Sequence, residues 1–233
     1  MAVTRINENM EKFFRHIQLG GTCTLDQAKL FLNDKQIEEL RAEGIFKEKT
    51  HSLMRSTLRQ LRDDGAITDK TFEKINAKKI PNINTISISS KGRRFADKVF
   101  GLKDMHTSTT PFHDIKIFSK TLALSKTELE SAKTESQIRK ELKNTIRDFR
   151  NNPETKDIYR AKMDEMNDRF ENFEKHFMKK CEYGSPSDMG YRSDKTGQFV
   201  AYEVVTVHYS EFEKAVKEFS AWVQGYSYEE EAI

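Results

Sequence analysis

Three arginines in the segment 52–65 have the clearest chemical spacing in this chain. Arg55, Arg59 and Arg62 recur at intervals of four and three, so on a helix they form one basic stripe. The apolar residues that repeat nearly the same spacing beside them are Met54, Leu58 and Leu61. Gly65 follows as a helix-stop residue. Such a helix would bury its apolar face and present its guanidinium groups to phosphate.

The residues after Gly65 predict a β-hairpin with a basic tip. Ala66–Thr68 and Thr85–Ser89 are the two expected strands, and a polar loop over 70–81 joins them. In a winged helix, a basic helix enters a DNA groove and a basic hairpin contacts the flanking phosphates. The residues expected to contact double-stranded DNA are Lys49, His51, Ser52, Arg55, Ser56, Arg59, Arg62, Lys74, Lys78, Lys79, Lys91 and Arg93.

Shorter helices are predicted ahead of this motif. Glu8–Gln18 has an apolar face and ends at a Gly-Gly pair. Thr24 with Gln27 forms a capping-box pattern, and Asn33 caps a third helix expected to reach Ile45. After the hairpin, 90–100 is expected to be a closing helix. We therefore predict a winged helix-turn-helix domain over 1–102, followed by a linker over 103–111.

The C-terminal part, 112–233, predicts a helix-rich domain with a small sheet. Helices are expected over 112–124 and 135–149, and a long helix over 154–181 after Pro153. The long helix carries a heptad-like apolar seam made of Tyr159, Met163, Met166, Phe170, Phe173 and Phe177. This seam is either one face of a globular helix or a helix pair across a dimer interface.

In the C-terminal tail the spacing of apolar residues changes from that of a helix to that of a strand. Residues 199–207 are rich in β-branched and aromatic side chains and predict a buried strand, paired as a hairpin with the segment around 189–191. Ser210 with Glu213 predicts the capping box of a final helix. The acidic end, 229–231, is expected to be frayed.

Composition narrows the class of protein. The chain has 233 residues, 36% of them hydrophobic and 33% charged, which is enough for packed cores. No apolar run is long enough for a membrane span and no signal-peptide core is present. Cys23 and Cys181 lie far apart in the sequence, so we expect neither a disulfide framework nor a zinc site. A cytoplasmic setting is expected instead. The net charge is +3, but the charges are unevenly distributed, and the basic excess lies in the N-terminal part of the chain.

Two parts of the chain resemble the replication-relaxation family of plasmid, phage and conjugative-element proteins. Ile86–Arg94 is similar to the strand and T-x-K-G-R turn that closes many winged helices. Thr134–Arg139 resembles a T-E-x-x-L/I-R element, and Ser185–Asp188 leads into Ala201–Val204. The resemblance implies a DNA-binding protein of a mobile element that acts in replication, transfer or transcription control. From the apolar seam we also expect a homodimer formed through the C-terminal half. No small-molecule substrate is expected.

The C-terminal part also resembles the core of PD-(D/E)xK nucleases. That resemblance implies Mg²⁺ ligands at Asp188 and Glu203, with Glu135 as a helix-borne third carboxylate. The position where these nucleases carry lysine is Val205, and Lys195 in the nearby turn is the alternative. We therefore expect an α+β chain whose C-terminal domain has a degenerate nuclease-like fold, without catalysis or cofactor. A Mg²⁺-dependent nuclease and a protein-interaction scaffold are the alternatives.

Overall fold

The computed structural model describes residues 6–106, 110–183, 187–205 and 209–232, without the side chains of 180–183. This part of the chain is α+β. It forms two compact units, Met1–Leu124 and Ser125–Ile233. No helix in the described ranges is both long and apolar enough to cross a membrane.

The first unit contains a three-stranded antiparallel sheet and seven helices within its described residues. The helices are α1 (Glu8–Gly20), α2 (Leu25–Ala28), α3 (Asp34–Ala42), α4 (Arg55–Asp63), α5 (Asp69–Asn76), α6 (Ser90–Phe100) and α7 (Pro111–Ala123). The strands are β1 (Thr22–Thr24), β2 (Phe46–Ser52) and β3 (Asn82–Ile88), in the order β1-β3-β2. The pairing of Phe46 with Ile88 and of Ser52 with Asn82 fixes the register of β2 on β3.

Local signals set the ends of several helices, as the sequence predicts. Thr24 and Gln27 form the capping box of α2, and Asn33 forms another with Gln36 at the start of α3. The Ser89 hydroxyl accepts a hydrogen bond from the Gly92 amide and caps α6. These side chains satisfy amide groups that would otherwise lack partners in the first turn of each helix.

Two apolar clusters stabilise the first unit. Phe13 and Phe14 of α1 are fully buried. The rings within contact distance of one or both are Phe31, Phe46, Phe95, Phe100 and Phe118. A second, smaller cluster lies under α4 and α5 and includes Leu58, Leu61, Ile75, Ile83 and Ile115. The second cluster fixes α4 and α5 to the end of the β2–β3 ribbon.

The predicted order of helix and hairpin in this unit is wrong in three places. Ala66–Thr68 is not a strand but the connection between α4 and α5, where Ala66 and Ile67 are buried beneath the two helices. The expected polar loop at 70–81 is largely helix α5. The third helix ends at Ala42, and β3 pairs with β1 and β2, both of which precede the predicted recognition helix.

The boundary between the units also differs from the linker predicted at 103–111. Helix α7 lies in the first unit because Phe118 packs in the cluster around Phe13. On the same helix, the Lys116 ammonium is 2.7 Å from the Asp64 carboxylate, and both are largely buried. The described parts of the expected linker therefore precede an element of the same unit.

The second unit contains a four-stranded mixed sheet and five helices within its described residues. The helices are α8 (Lys126–Ser131), α9 (Glu135–Asn151), α10 (Pro153–Arg169), α11 (Phe173–Tyr183) and α12 (Glu211–Val223). The strands are β4 (Lys133–Thr134), β5 (Met189–Arg192), β6 (Phe199–Val205) and β7 (Ser227–Ala232), in the order β4-β5-β6-β7. Strands β5 and β6 form the predicted antiparallel hairpin, whereas β6 and β7 are parallel and joined through α12.

The helix predicted over 154–181 is two helices. Helix α10 ends at Arg169, and Asn172 adopts a positive φ of 57° before α11 begins. Phe173 and Phe177 are fully buried within the unit and stack on each other, with 6.1 Å between ring centroids. The seam is therefore a face of the unit's own core. These aromatic residues are therefore not available as a dimer interface. That the protein forms a dimer stays a prediction.

The acidic end that was expected to fray is strand β7. On one face of the sheet, the Tyr191 hydroxyl donates to Glu229 across 3.0 Å, and the Tyr202 hydroxyl donates to Glu231 across 2.7 Å. On the other face, Lys214 of α12 lies 2.7 Å from Glu230. Hydroxyl and ammonium donors on neighbouring elements thus stabilise a strand in which half of the side chains are charged.

Candidate functional site

A basic surface on α4, α5 and β2 contains most of the residues predicted to contact DNA. Between Lys47 and Asn82 the chain has nine Lys and Arg against five Asp and Glu, a local excess of four positive charges. Within the described residues, six of these cations are exposed and have neither an ion-pair nor a side-chain hydrogen-bond partner: Lys47, Lys49, Arg59, Lys70, Lys74 and Lys79. Unpaired and exposed cations are free to contact phosphate.

Other predicted contacts on this surface have structural partners. Arg55 donates to the Asn76 carbonyl across 2.7 Å and to its side-chain oxygen across 2.6 Å, which ties the start of α4 to the end of α5. Arg62 pairs with Asp63 and lies 4.6 Å from the centroid of the Phe72 ring. These two arginines hold the helix pair together, whatever else they bind.

The remaining predicted residues are spread over three elements. His51 and Ser52 lie on β2, Ser56 lies on α4, and Lys91 and Arg93 lie on α6. Partial burial, with the nearby Lys49 ammonium, lowers the pKa of His51, so its imidazole is neutral at neutral pH. Lys78 donates to Asn82 across 3.0 Å at the end of α5, and Lys91 lies 3.3 Å from Glu43.

The segment around helix α3 has an excess of acidic residues. The segment 25–46 contains three Lys and Arg against five Asp and Glu. Lys29 lies 2.7 Å from Asp34, and Arg41 lies 2.6 Å from Glu48. The cations around α3 are therefore neutralised within the protein.

The second unit contains a buried polar cluster of Asp188, Glu203, Tyr209 and Lys217, which we call the carboxylate–lysine cluster. The Asp188 amide donates to the Glu203 carboxylate across 3.1 Å, and the Val204 amide donates to the Asp188 carboxylate across 2.8 Å. Asp188 immediately precedes β5 and Glu203 lies within β6, so antiparallel pairing of these strands brings them together. The two carboxylates named by the nuclease resemblance are therefore neighbours.

Lysine and tyrosine complete the cluster. The Lys217 ammonium is 2.7 Å from the Glu203 carboxylate, and only 6% and 1% of the two side chains is exposed. The Tyr209 hydroxyl donates to the same carboxylate. Burial raises the pKa of Glu203, while the Lys217 charge opposes that shift. Burial and the Glu203 charge raise the pKa of Tyr209, which keeps its proton on the hydroxyl.

The other residues named for this site differ in their surroundings. Glu135 pairs with Arg139 one turn along α9. Glu135 directly follows Thr134, which pairs with Met189 next to Asp188. No group of three His, Cys, Asp or Glu side chains in the described part of the chain is placed to hold a metal ion. Lys195 is exposed in the turn at the far end of the β5–β6 hairpin from Asp188. Val205 is buried.

Sequence reasoning missed Lys217 because no local signal marks it. Its neighbours on α12, Val216 and Phe219, are core residues, and a lysine beside them is expected at the surface. It meets Glu203 because α12 connects β6 to the parallel strand β7 and so packs on the sheet. Comparison with protein-family models, curated proteins and solved structures gave no significant match. The function is therefore inferred from the residues themselves.

Proposed function

We propose that the protein is a DNA-binding protein whose first unit contacts the backbone of double-stranded DNA. The carrying observation is the set of exposed, unpaired cations on β2, on α4 and α5 and just after α5, including Arg59, Lys74 and Lys79. Clustered Lys and Arg that displace counterions from DNA supply most of the affinity of sequence-independent binding. The paired charges around α3 offer no comparable excess.

The topology of the first unit supports a winged-helix module. A sheet in the order β1-β3-β2, with two helices between β1 and β2, is the arrangement of that class. In this proposal α3 occupies the usual position of the recognition helix, and α4 with α5 replaces the hairpin tip. Because four of the six unpaired cations lie on α4, on α5 or just after α5, this helical wing supplies most of the phosphate contacts.

The proposed setting is a mobile genetic element, where the protein acts in replication, transfer or transcription control. Its support is the resemblance of Ile86–Arg94 to the closing strand and turn of replication-relaxation proteins. The close approach of α6 to the sheet explains the glycine of that turn. A Cβ atom at Gly92 would lie 2.4 Å from the Ile45 carbonyl oxygen.

A binding titration with two matched variants tests this proposal. Arg59→Ala/Lys74→Ala removes two unpaired cations of the basic surface, and Lys12→Ala/Lys103→Ala removes two exposed cations of the same unit elsewhere. On a duplex of mixed sequence, the first variant should lose affinity and show a salt slope shallower by about 1.8, which corresponds to two phosphate contacts. The control should bind as the unaltered protein does. Equal behaviour of the two variants would contradict the proposal.

A second candidate function is metal-dependent cleavage of DNA by the carboxylate–lysine cluster. The observation in its favour is Lys217, which brings to Glu203 the ammonium group that Val205 cannot supply. Asp188 and Glu203 fit the one or two carboxylates that commonly hold Mg²⁺. When bound, that ion would polarise a phosphate and activate water. Lys217 would stabilise negative charge on the phosphate, and Asp188 would orient Glu203 through its amide.

The non-catalytic interpretation remains the first choice because Glu203 is buried and its oxygens already accept bonds from Lys217, Tyr209 and the Asp188 amide. Incubation with supercoiled DNA in Mg²⁺ and in Mn²⁺ distinguishes the two. No nicking is expected. Nicking that is lost in both Glu203→Gln and Lys217→Met, but kept in Lys195→Ala, would establish the enzyme instead.

A further inference from the structure

The second unit contains a basic groove far along the chain from the DNA-binding surface proposed above. The groove has a volume of about 570 Å³ and is lined by residues of α9, α10 and α11. Its apolar lining includes Ile146, Tyr159 and Met163, each more than nine-tenths buried. This volume is within the range of ligand sites.

Cations line the groove from two helices. Lys143, Arg147 and Arg150 lie at intervals of four and three on α9, and Lys156 and Arg160 lie four apart on α10. All five are exposed. Within the described residues only Arg147 of these five forms an ion pair, with 3.7 Å to Asp148, and that pair is itself exposed. Exposed pairs contribute little, so the five charges are available to an anion.

Two carboxylates lie in the same groove, Asp164 and Glu174. Asp164 is exposed, and the Glu174 amide is fixed by a 3.0 Å hydrogen bond from it to the Asn167 side chain. The lining thus combines cations, a buried apolar floor and two acceptors. Cations suit phosphates, an apolar floor suits a base or sugar, and carboxylates accept hydrogen bonds from base amino groups.

We propose that this groove binds a single-stranded nucleic-acid segment along its phosphate backbone. The row from Lys143 to Arg150 spans about 10 Å at 1.5 Å per residue, which is longer than one nucleotide. A lone nucleotide would use only part of that row. Positively charged grooves that follow a backbone over apolar contacts are the usual sites for single strands.

The test uses the full chain in the Arg59→Ala/Lys74→Ala background, so that binding to the first unit does not dominate. The probe is a labelled single-stranded oligonucleotide of about ten nucleotides, followed by fluorescence anisotropy. Adding Arg147→Ala/Arg160→Ala should lower the affinity about tenfold and reduce the salt slope by about 1.4, the value for two phosphate contacts on a single strand. Adding Lys126→Ala/Lys195→Ala, two exposed cations of the same unit outside the groove, should change neither.

Three results would overturn the proposal. The first is no measurable binding of the oligonucleotide, and the second is equal loss in the groove and control variants. The third is competition by inorganic triphosphate or by ATP that equals the oligonucleotide at the same phosphate concentration, which would assign the groove to a small phosphate ligand. The duplex titration measures binding by the first unit separately. Failure of the oligonucleotide test therefore leaves the proposed duplex binding intact, and failure of the duplex test leaves the proposed single-strand site intact.

Discussion

The Lys217 ammonium lies 2.7 Å from the Glu203 carboxylate in the interior of the second unit, where neither side chain is more than 6% exposed. The charge pair joins α12 to the middle of β6. Two buried charges cost desolvation energy, which their attraction offsets only while both are present and hydrogen-bonded. Removal of one partner is therefore more damaging than removal of both.

We expect Lys217→Ala to lower the free energy of unfolding of the second unit by about 3–5 kcal/mol, because it leaves Glu203 buried and uncompensated. The double variant Glu203→Gln/Lys217→Met should recover most of that loss. Trp222 packs beside Phe149 and Phe219 in this unit and is the only tryptophan of the chain, so urea unfolding followed by its fluorescence measures the effect.

The control for that measurement lies on the same helix. Lys214 pairs with Glu230 at the same 2.7 Å distance, but about two fifths of each side chain is exposed. Lys214→Ala should therefore cost less than about 1 kcal/mol. Equal losses in Lys214→Ala and Lys217→Ala would show that burial does not govern the Lys217 pair.

Arg55→Ala should loosen the helix pair α4–α5 because it removes the hydrogen bonds to Asn76. We expect a loss of about 1–2 kcal/mol, confined to this pair, since the bonds lie at the surface. Hydrogen exchange of the α4 and α5 amides would detect it as reduced protection. Arg59→Ala, one turn along and without such bonds, should leave protection unchanged while lowering DNA affinity. Equal protection in both variants would contradict the structural role of Arg55.

Gly92→Ala should destabilise the first unit by about 1–3 kcal/mol, because its Cβ would lie 2.4 Å from the Ile45 carbonyl oxygen and 2.8 Å from the Ile88 side chain. Thermal unfolding followed by far-UV circular dichroism measures the change. The neighbouring Lys91→Ala removes only an exposed pair with Glu43 and should cost less than about 1 kcal/mol. A stable Gly92→Ala protein would show that α6 can move away from the sheet without cost.

His16 should make the first unit sensitive to acid. Burial lowers its pKa to about 4, and the imidazole contacts the Thr121 hydroxyl and the rings of Phe31 and Phe118. An unfolded histidine binds a proton near pH 6.5, so the unfolded state holds more protons between pH 6.5 and 4. The stability present above pH 6.5 should fall by about 3 kcal/mol as the pH drops to 4.

The measurement for His16 is the pH dependence of urea unfolding by far-UV circular dichroism. All seven tyrosines and the single tryptophan lie in the second unit, so aromatic fluorescence identifies the transition of that unit and separates it from the first. His16→Gln should flatten the fall between pH 6.5 and 4. An unchanged slope in His16→Gln would assign the acid sensitivity to other groups.

Elements with local signals could be predicted from the sequence, and elements that depend on tertiary partners could not. Thr24 and Ser210 cap the helices they were expected to cap, since a capping box needs only residues three apart. Strand β2 was missed because its exposed sequence has one buried apolar residue, Phe46, and the strand is defined by its pairing with β3. Strand β7 was missed for the same reason, since its glutamates are satisfied by tyrosines of β5 and β6.

The same distinction between local signals and tertiary contacts applies to the candidate sites. The basic stripe of Arg55 and Arg59 was visible in the sequence because helical spacing alone defines it, and α4 is indeed a helix. The pairing of Asp188 with Glu203 followed from a recognisable hairpin. Lys217 and the groove along α9 and α10 could not be predicted, because they arise where separate helices pack on the sheet or on each other.

The insertion of α4 and α5 between β2 and β3 has a consequence for the order of folding. Ser52 pairs directly with Asn82, yet 29 residues, 53–81, separate them. Closing a flexible loop of that length costs about 2 kcal/mol more than closing a two-residue turn. Collapse of α4 on α5 shortens the effective loop, so formation of this helix pair should precede or accompany pairing of the strands. Variants that weaken the helix pair, such as Arg55→Ala, should therefore slow refolding of the first unit.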